Sequence, residues 1–464
     1  MPVVDIESII EQLTAIFGRA KVRTDHDSLQ HFGCDATKIY TIAPLAIVFP
    51  TRTEQVQSLV KLATKHQIGL VPSGGRTGLS GGAVANNGEI VVSFDYMNQI
   101  GVVNVLDRTV VCQPGVITQQ LQQIANDNGL YYPVDFASAG SSQIGGNIST
   151  NAGGIKVIRY GMTRDWIAGL KVVTGTGELL ELNKDLLKNN TGYDLRHLFA
   201  ASEGTLGFIV EATMKLTTPP QRLTAVVLGI PSMDVIMNVL QEFQQNISVT
   251  AFEFFSESGV KILVEHGVKR PFDSKTPFYV LLEFESILNN EDKVMQVFER
   301  CLENGWVTDG VISQNDRQHK ELWALRENLS ETCAAFTPYK NDISVTISKV
   351  PALLAEVEQL IANEYPDFTI VWWGHIGDGN LHINILKPES VAKEEFLLAC
   401  QEVTPKVFEI VANHGGSISA EHGVGLVKRD YLEFSRSRAE IDIMKGIKNV
   451  FDPGGIMNPG KLLG

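Results

Sequence analysis

An α+β fold in at least two units is what this amino-acid sequence predicts, and three observations predict it. The chain has 464 residues, too many for a single hydrophobic core. It opens β-α-β: "PLAIVFP" (44–50) is a short apolar strand, "TEQVQSLVKLATKHQ" has helical periodicity at Val56, Leu59, Val60 and Leu62, and "IGLVPSG" (68–74) is the next strand. Residues 68–218 are then dense in glycine and short strands, until the proline break "LTTPPQRL" (216–223) changes the grammar. Beyond it the apolar runs "TAVVLGI", "ISVTAFEFFS" and "PFYVLLEFES" alternate with amphipathic helices, the pattern of a largely antiparallel sheet. We therefore expect one domain over 1–218, a second over 219–405, and a helical C-terminal segment over 406–464.

Each further element has a local reason. "MPVVDIESIIEQLTAIFG" carries Asp5, Glu7 and Glu11 and lacks a basic start, so it reads as an amphipathic helix and not a signal peptide or a mitochondrial presequence. "SMDVIMNVLQEFQQN" and "NEDKVMQVFERCLENG" are helices between strands, and "AKEEFLLACQEVTPKVFEIVANHGG" is one long helix stopped by Gly415–Gly416, with His414 at its end. No apolar run reaches membrane-spanning length. The net charge of −14 argues against nucleic acid and anionic membranes as partners. The five cysteines are scattered without a C-x-x-C pair, which excludes a zinc ribbon, an iron–sulfur site and a disulfide scaffold, and fits a reducing cytoplasm.

Three glycine-rich segments carry the first chemical signal. "PSGGRTGLSGGAV" (72–84) is neither a Walker A loop nor a Rossmann fingerprint, yet it lets backbone N–H groups approach an anion. "SAGSSQIGGNISTNAGG" (138–154) repeats the small-residue grammar, and "SEGTLGFIVEATMKL" (202–216) runs from a glycine turn into a strand. One such loop is as well explained as an ordinary surface loop. Three in one domain favour a dinucleotide or a similar diphosphate ligand.

With the terminal "NPGKLL", these segments resemble the FAD-binding oxidoreductases of the vanillyl-alcohol-oxidase type, in the same order and over nearly the whole chain. The resemblance implies a two-subdomain FAD-binding domain, an α+β cap domain with an antiparallel sheet, and a C-terminal segment returning to the flavin site. It implies FAD contacts at Gly74, Gly75, Thr77, Gly78 and Leu79 from the first segment. From the second it implies Ser138, Ser141, Gly145, Asn147 and Thr150, and elsewhere Ile209 and Asn458. His31 and His66 lie outside the flavin loops, so the expected FAD is non-covalent.

The second signal is "WWGHIGDGNLHINI" (372–385). Gly-Asp-Gly is strong turn chemistry, so a hairpin-like bend brings His375 back toward His382, and period two puts His382 and Asn384 on one face. Downstream, "GGSISAEHGVGLVKRD" supplies Glu421 and His422. Two histidines and a carboxylate suit Zn²⁺, or Mn²⁺ or Fe²⁺. On residue types alone, hydrogen-bonded structural histidines explain them equally well. "GHIGDGNLHINI" and "SAEHGVG" resemble the metal-containing branch of the same family that oxidises D-2-hydroxy acids. That resemblance implies His375, His382 and Glu421 as metal ligands, Zn²⁺ or Mn²⁺ as the metal, and His422 as catalytic base.

The substrate is addressed by "LWALRENLSETCAAFTPYKNDISV" (322–345). Arg326 and Ser330 are four apart on an expected helix, and Lys340 precedes a strand. This is either a solvated helix face with an ordinary lysine or an anion clamp. The segment is similar to that of D-2-hydroxyglutarate dehydrogenases, in which such a trio holds the distal carboxylate, with Ser330 standing where threonine is often found. Asn384 then orients the α-carboxylate, and hydride passes to flavin N5. The alternatives carried beside this reading are a D-lactate dehydrogenase or the flavin subunit of a glycolate oxidase, a metal-dependent hydrolase whose glycine loops hold a phosphate, and a non-catalytic binding protein. An external electron acceptor is implied: an electron-transfer flavoprotein, a quinone or O₂. A homodimer is allowed for.

Overall fold

The computed structural model describes residues 5–286 and 290–464, so the first four residues of the N-terminal stretch lie outside it. The chain divides into two compact units. Unit 1 comprises residues 1–153, 162–219 and 421–464, and unit 2 comprises residues 154–161 and 220–420. Residues 154–161, inside the glycine-rich half of the sequence, thus fold with unit 2.

Unit 1 holds two four-stranded sheets. In the first, β2 (Ala46–Val48), β4 (Ile90–Ser93) and β3 (Leu70–Ser73) run parallel, with the short β1 (Val22–Arg23) antiparallel on the edge. The helix Thr53–His66 is the crossover that a parallel β2–β3 arrangement requires. Its Val56, Leu59, Val60 and Ala63 are fully buried in the same cluster as Ile9 and Leu13 of the helix Ile6–Phe17. Asp5 caps that first helix by accepting from the Ser8 amide. The second sheet is antiparallel, in the order β5 (Thr109–Cys112), β8 (Gly207–Lys215), β6 (Ile167–Thr174), β7 (Leu179–Leu182).

Unit 2 is built on a seven-stranded antiparallel sheet. Its strands are β9 (Leu223–Ile230), β10 (Val249–Ser256), β11 (Phe278–Glu285), β12 (Asp309–Ile312), β13 (Tyr339–Ser344), β14 (Thr369–Gly374) and β15 (Asn380–Leu386), in the spatial order β12-β9-β11-β10-β14-β15-β13. β10 lies at the centre, and all eight of its residues are buried. One face is covered by the helices Glu257–Glu265 and Asp316–Glu327, whose Val260, Leu263, Leu322, Trp323 and Leu325 pack with Phe255, Tyr279, Leu281 and Trp373 of the sheet. Among the described residues no helix is long and apolar enough to cross a membrane.

Candidate functional site

The first candidate site lies wholly in unit 1. The loop 74–82 leaves the C-terminal end of the parallel strand β3, where open α/β sheets place ligands. It borders a cavity with roughly 910 Å³ of empty space, part of it open to solvent. Gly74, Gly75, Thr77 and Gly78 line it, as do Gly145, Asn147 and Thr150 of the helix Ile144–Thr150, and Ile209 of β8. Asp35, Ser80, Gln143, Gly146, Ser149 and Glu203 line it too; these are residues the sequence patterns did not single out. Leu79, Ser138, Ser141 and Asn458 do not line it. Leu79 is exposed, and Ser138 and Ser141 close a turn in which the Ser141 amide donates to the Ser138 carbonyl at 2.9 Å. Asn458, fully buried, acts as a brace: its Nδ2 donates to Gly82 O at 2.9 Å and Glu203 O at 2.7 Å.

The lining suits a large flat cofactor that carries phosphates. A Cβ on Gly75 would stand 2.2 Å from Ser141 O, so only glycine lets the first loop lie against the second segment. A Cβ on Gly146 would meet nothing within 4 Å and would project into the open cavity. Gln143 donates through Nε2 to Asp95 at 2.7 Å, while its buried Oε1 has no protein partner and so offers an acceptor to a bound group. Glu203 fastens the return segment of the chain, accepting from the amides of Val424 and Gly425 at 2.7 Å each. Burial pushes its carboxyl above the ordinary glutamate range, and those two amides and Lys428 oppose the rise. Just upstream on the same segment, His422 Nε2 and Glu421 Oε1 are 3.8 Å apart.

The second candidate site lies in unit 2 and follows from strand register. β14 and β15 pair with Trp373 opposite His382, and β13 pairs with β15 so that Asp342 faces His382 and Lys340 faces Asn384. Directly opposed residues share a face, so Lys340, Asp342, His382, Asn384 and Trp373 form one patch. The bend 376–379 between β14 and β15 closes with Gly379 at φ +85°, where a Cβ would collide with Val345 O at 2.0 Å. It returns His375 to His382, their ring centroids 5.4 Å apart and nearly perpendicular. His414 stays outside this patch: it ends the helix Lys393–Asn413 and contacts Glu356 at 3.0 Å.

Each of the two histidines has a carboxylate at its Nδ1. Glu253 Oε1 is 2.8 Å from His375 Nδ1, and Asp342 Oδ1 is 3.6 Å from His382 Nδ1. Asp342 is itself held, accepting from Asn380 Nδ2 at 2.8 Å and from the Ala420 amide at 3.1 Å. The Glu253 contact is a hydrogen bond that orients the His375 ring and leaves its Nε2 for another partner, whereas Asp342 is too far from His382 Nδ1 for one. Two imidazoles beside two carboxylates are a donor set that suits a divalent metal of the zinc class. Ala420 is the last residue of unit 2, and Glu421 is the next residue along the chain.

The anion-binding trio is arranged differently from the continuous helix face expected. The helix Asp316–Glu327 is interrupted at Asn328 before the short helix Leu329–Ala334. Arg326 is buried and Ser330 exposed. Leu322, Trp323, Leu325 and Leu329 are pulled into the core, and that anchoring carries Arg326 inward with them. Arg326 Nε lies 2.9 Å from Glu253 Oε2, off the line for a hydrogen bond, so the contact is an ion pair. Ser330 Oγ accepts from Lys340 Nζ at 3.3 Å. Lys340 is exposed as a residue, yet desolvation around its ammonium pushes its pKa below the ordinary lysine value. Asn384 is 1% exposed, and its buried Oδ1 lacks a protein partner.

Sequence reasoning missed Glu253, Glu283 and Asp342. For Glu253 and Glu283 the available signal was an acid set in an apolar run, as in "TAFEFFS" and "VLLEFES"; Asp342, in the polar stretch "YKNDIS", carried no such signal. Period two puts Glu253 on the face of Phe255, which pairs with Trp373, and Glu283 opposite Ala251 on that same face.

Known proteins share this sequence and this architecture. Residues 44–183 match the family "FAD binding domain", and residues 219–462 match "FAD linked oxidases, C-terminal domain". The chain is 62% identical over 457 residues to a D-2-hydroxyglutarate dehydrogenase of Stutzerimonas stutzeri, covering 98% of each chain. It is 52% identical to one of Xanthomonas citri, covering 95% of this chain and 94% of that one. In fold it is similar to a 4-ethylphenol oxidase of Gulosibacter chungangensis, with TM-score 0.77 at 16% identity over 99% of this chain and 97% of that one. The chain therefore belongs to the FAD-linked oxidases of the vanillyl-alcohol-oxidase type, as one of their FAD-dependent hydroxyacid dehydrogenases.

Proposed function

We propose that this enzyme oxidises D-2-hydroxyglutarate to 2-oxoglutarate. The observation that carries the substrate is the β13–β15 register, which seats Lys340 opposite Asn384 one step from the Asp342–His382 pair. A cation two residues along the strand from a metal-type histidine site fits a substrate with a second carboxylate. D-Lactate has none to offer it. The relatives named above act on that same diacid by name.

In this reading His375, His382 and Glu421 hold Zn²⁺ or Mn²⁺. Gly74, Gly75, Thr77, Gly78, Gly145, Asn147, Thr150 and Ile209 cradle non-covalent FAD. When bound, FAD supplies the hydride acceptor at N5, and the metal supplies Lewis acidity toward the α-hydroxyl. His422 takes the hydroxyl proton, a task that imidazole suits near neutral pH. Asn384 presents its buried amide to the α-carboxylate. Lys340 and Ser330 take the distal carboxylate together with the terminal nitrogens of Arg326, so remote binding energy aligns Cα for transfer. An external acceptor, such as an electron-transfer flavoprotein, reoxidises the enzyme. Five free cysteines suit the cytoplasm.

The test is anaerobic titration of the purified protein with D-2-hydroxyglutarate, D-lactate, glycolate and L-2-hydroxyglutarate. Bleaching of the flavin absorbance by the first at the lowest concentration supports the reading. Faster bleaching by D-lactate or glycolate overturns the choice of acid. A colourless protein that does not take up FAD overturns the flavin site.

A further inference from the structure

We propose that Glu253 is a positioning residue that ties the metal site to the distal-carboxylate clamp. The inference rests on the reading of His375 and Arg326 given above. Glu253 sits in the middle of the fully buried strand β10 and is 1% exposed. An uncompensated carboxylate there would be strongly destabilising, so its partners matter. Its two oxygens face two different functional groups: Oε1 lies 2.8 Å from His375 Nδ1, and Oε2 lies 2.9 Å from Arg326 Nε.

The chemistry of each contact is one-directional. A carboxylate only accepts, so His375 donates through Nδ1–H, and the tautomer with the Nε2 lone pair is selected. The ion pair to Glu253 is made at Nε, the chain-side nitrogen of the guanidinium, so the two terminal nitrogens are not committed to it. The helix Asp316–Glu327 presents His319, Trp323 and Arg326 at i, i+4 and i+7. His319 and Trp323 reach Glu283 at 3.0 and 3.1 Å, and Arg326 reaches Glu253. This stripe docks on two neighbouring strand carboxylates, so the helix that carries the clamp is referenced to the strand that orients the metal-binding histidine. One carboxylate thereby sets the separation between the α end and the distal end of the substrate.

The experiment compares wild type, Glu253→Gln, Glu253→Ala and His375→Ala. Zn²⁺ affinity is read by competition with a chromogenic chelator. kcat/KM is read for D-2-hydroxyglutarate and D-lactate. Glu253→Gln keeps an acceptor for His375 but loses the charge facing Arg326. It is expected to hold Zn²⁺ within a few-fold of wild type while losing preference for the diacid over lactate by about tenfold. Glu253→Ala is expected to lose that preference and also to weaken Zn²⁺ by about 10- to 100-fold, the usual effect of removing a carboxylate behind a ligating histidine. If Glu253→Ala does not fold, the isosteric Gln variant carries the test through its preference ratio. Loss of Zn²⁺ in His375→Ala with unchanged affinity and preference in both Glu253 variants overturns this inference and leaves the proposed function standing. Unchanged Zn²⁺ affinity in His375→Ala overturns the metal assignment itself.

Discussion

Unit 1 and unit 2 solve two recognition problems with opposite materials. In unit 1 the candidate site is mostly backbone and small side chains: Gly74, Gly75, Gly78, Gly145 and Gly146 border the cavity, and what each contributes is the absence of a Cβ. In unit 2 the site is made of charged and hydrogen-bonding groups set into an apolar sheet. Glu253, Asp342, His375, His382, Asn384 and Arg326 are all buried, each beside a polar partner. A flat, extended cofactor needs close approach along its length, which glycine permits. A small anionic substrate needs a few fixed charges, and those are fixed only when each is held by another. Damage to the first should therefore change what the protein binds, and damage to the second should change what it turns over.

The largest expected effect is that of His422→Ala, at a residue that lies on the C-terminal segment of unit 1 but outside the glycine-lined cavity. kcat should fall by about 10²- to 10⁴-fold, the usual worth of a positioned general base, with the visible flavin spectrum intact. Near-normal turnover would remove His422 from the mechanism. Next, Lys340→Ala should lower kcat/KM for D-2-hydroxyglutarate by about tenfold to a hundredfold, the worth of a charged hydrogen bond, and leave D-lactate nearly unaffected. Equal losses on both acids would show that Lys340 does not address a second carboxylate. Gly75→Ala probes the glycine-lined cavity of unit 1. Its Cβ would stand 2.2 Å from Ser141 O, and the forced shift should cost about 1–3 kcal/mol. The readout is the FAD-to-protein ratio after gel filtration; a ratio of one would mean that the loop has room to move.

The smallest effect concerns acid stability and belongs to unit 2. Glu283 is buried, which alone would raise its pKa. His319, Lys156 and Thr250 more than offset that and hold it at about 2. A carboxyl depressed in the folded state stabilises the fold above its unfolded pKa, near 4.3, and that contribution drains as pH falls from there toward 2. Urea unfolding of wild type and Glu283→Gln should therefore differ in pH slope over this window and run parallel above pH 5. Parallel curves throughout would mean that Glu283 does not titrate as its contacts imply.

The contrast between the units also explains what could be read without a structure. The glycine segments are contiguous and their spacing is itself the signal, because a backbone cradle is a local object. Leu79, Ser138, Ser141 and Asn458 belong to that cradle by motif and are not among the residues that line the cavity. A neighbour in sequence turns away at a tight bend, and a brace such as Asn458 works from behind. The bend after Gly374 was legible because Gly-Asp-Gly permits little else. Glu253 passed unremarked because an isolated acid in an apolar strand has no sequence neighbour to explain it, and Asp342 because it sits in the polar stretch "YKNDIS", where an acid is ordinary.

By itself the sequence determined the strand and helix grammar, the glycine loops and the His-Ile-Gly-Asp-Gly turn, for each depends on interactions within a few residues. It also determined the inventory of the chemistry: two clustered histidines, an adjacent Glu-His pair, and an arginine and a lysine in an acidic chain. Only tertiary structure decided which charges meet. Glu253 and His375 are 122 residues apart, and Arg326 reaches the same carboxylate from a helix between them. Such pairs follow from strand order and register, and a shift of one residue in either would turn every one of these side chains to the opposite face of the sheet.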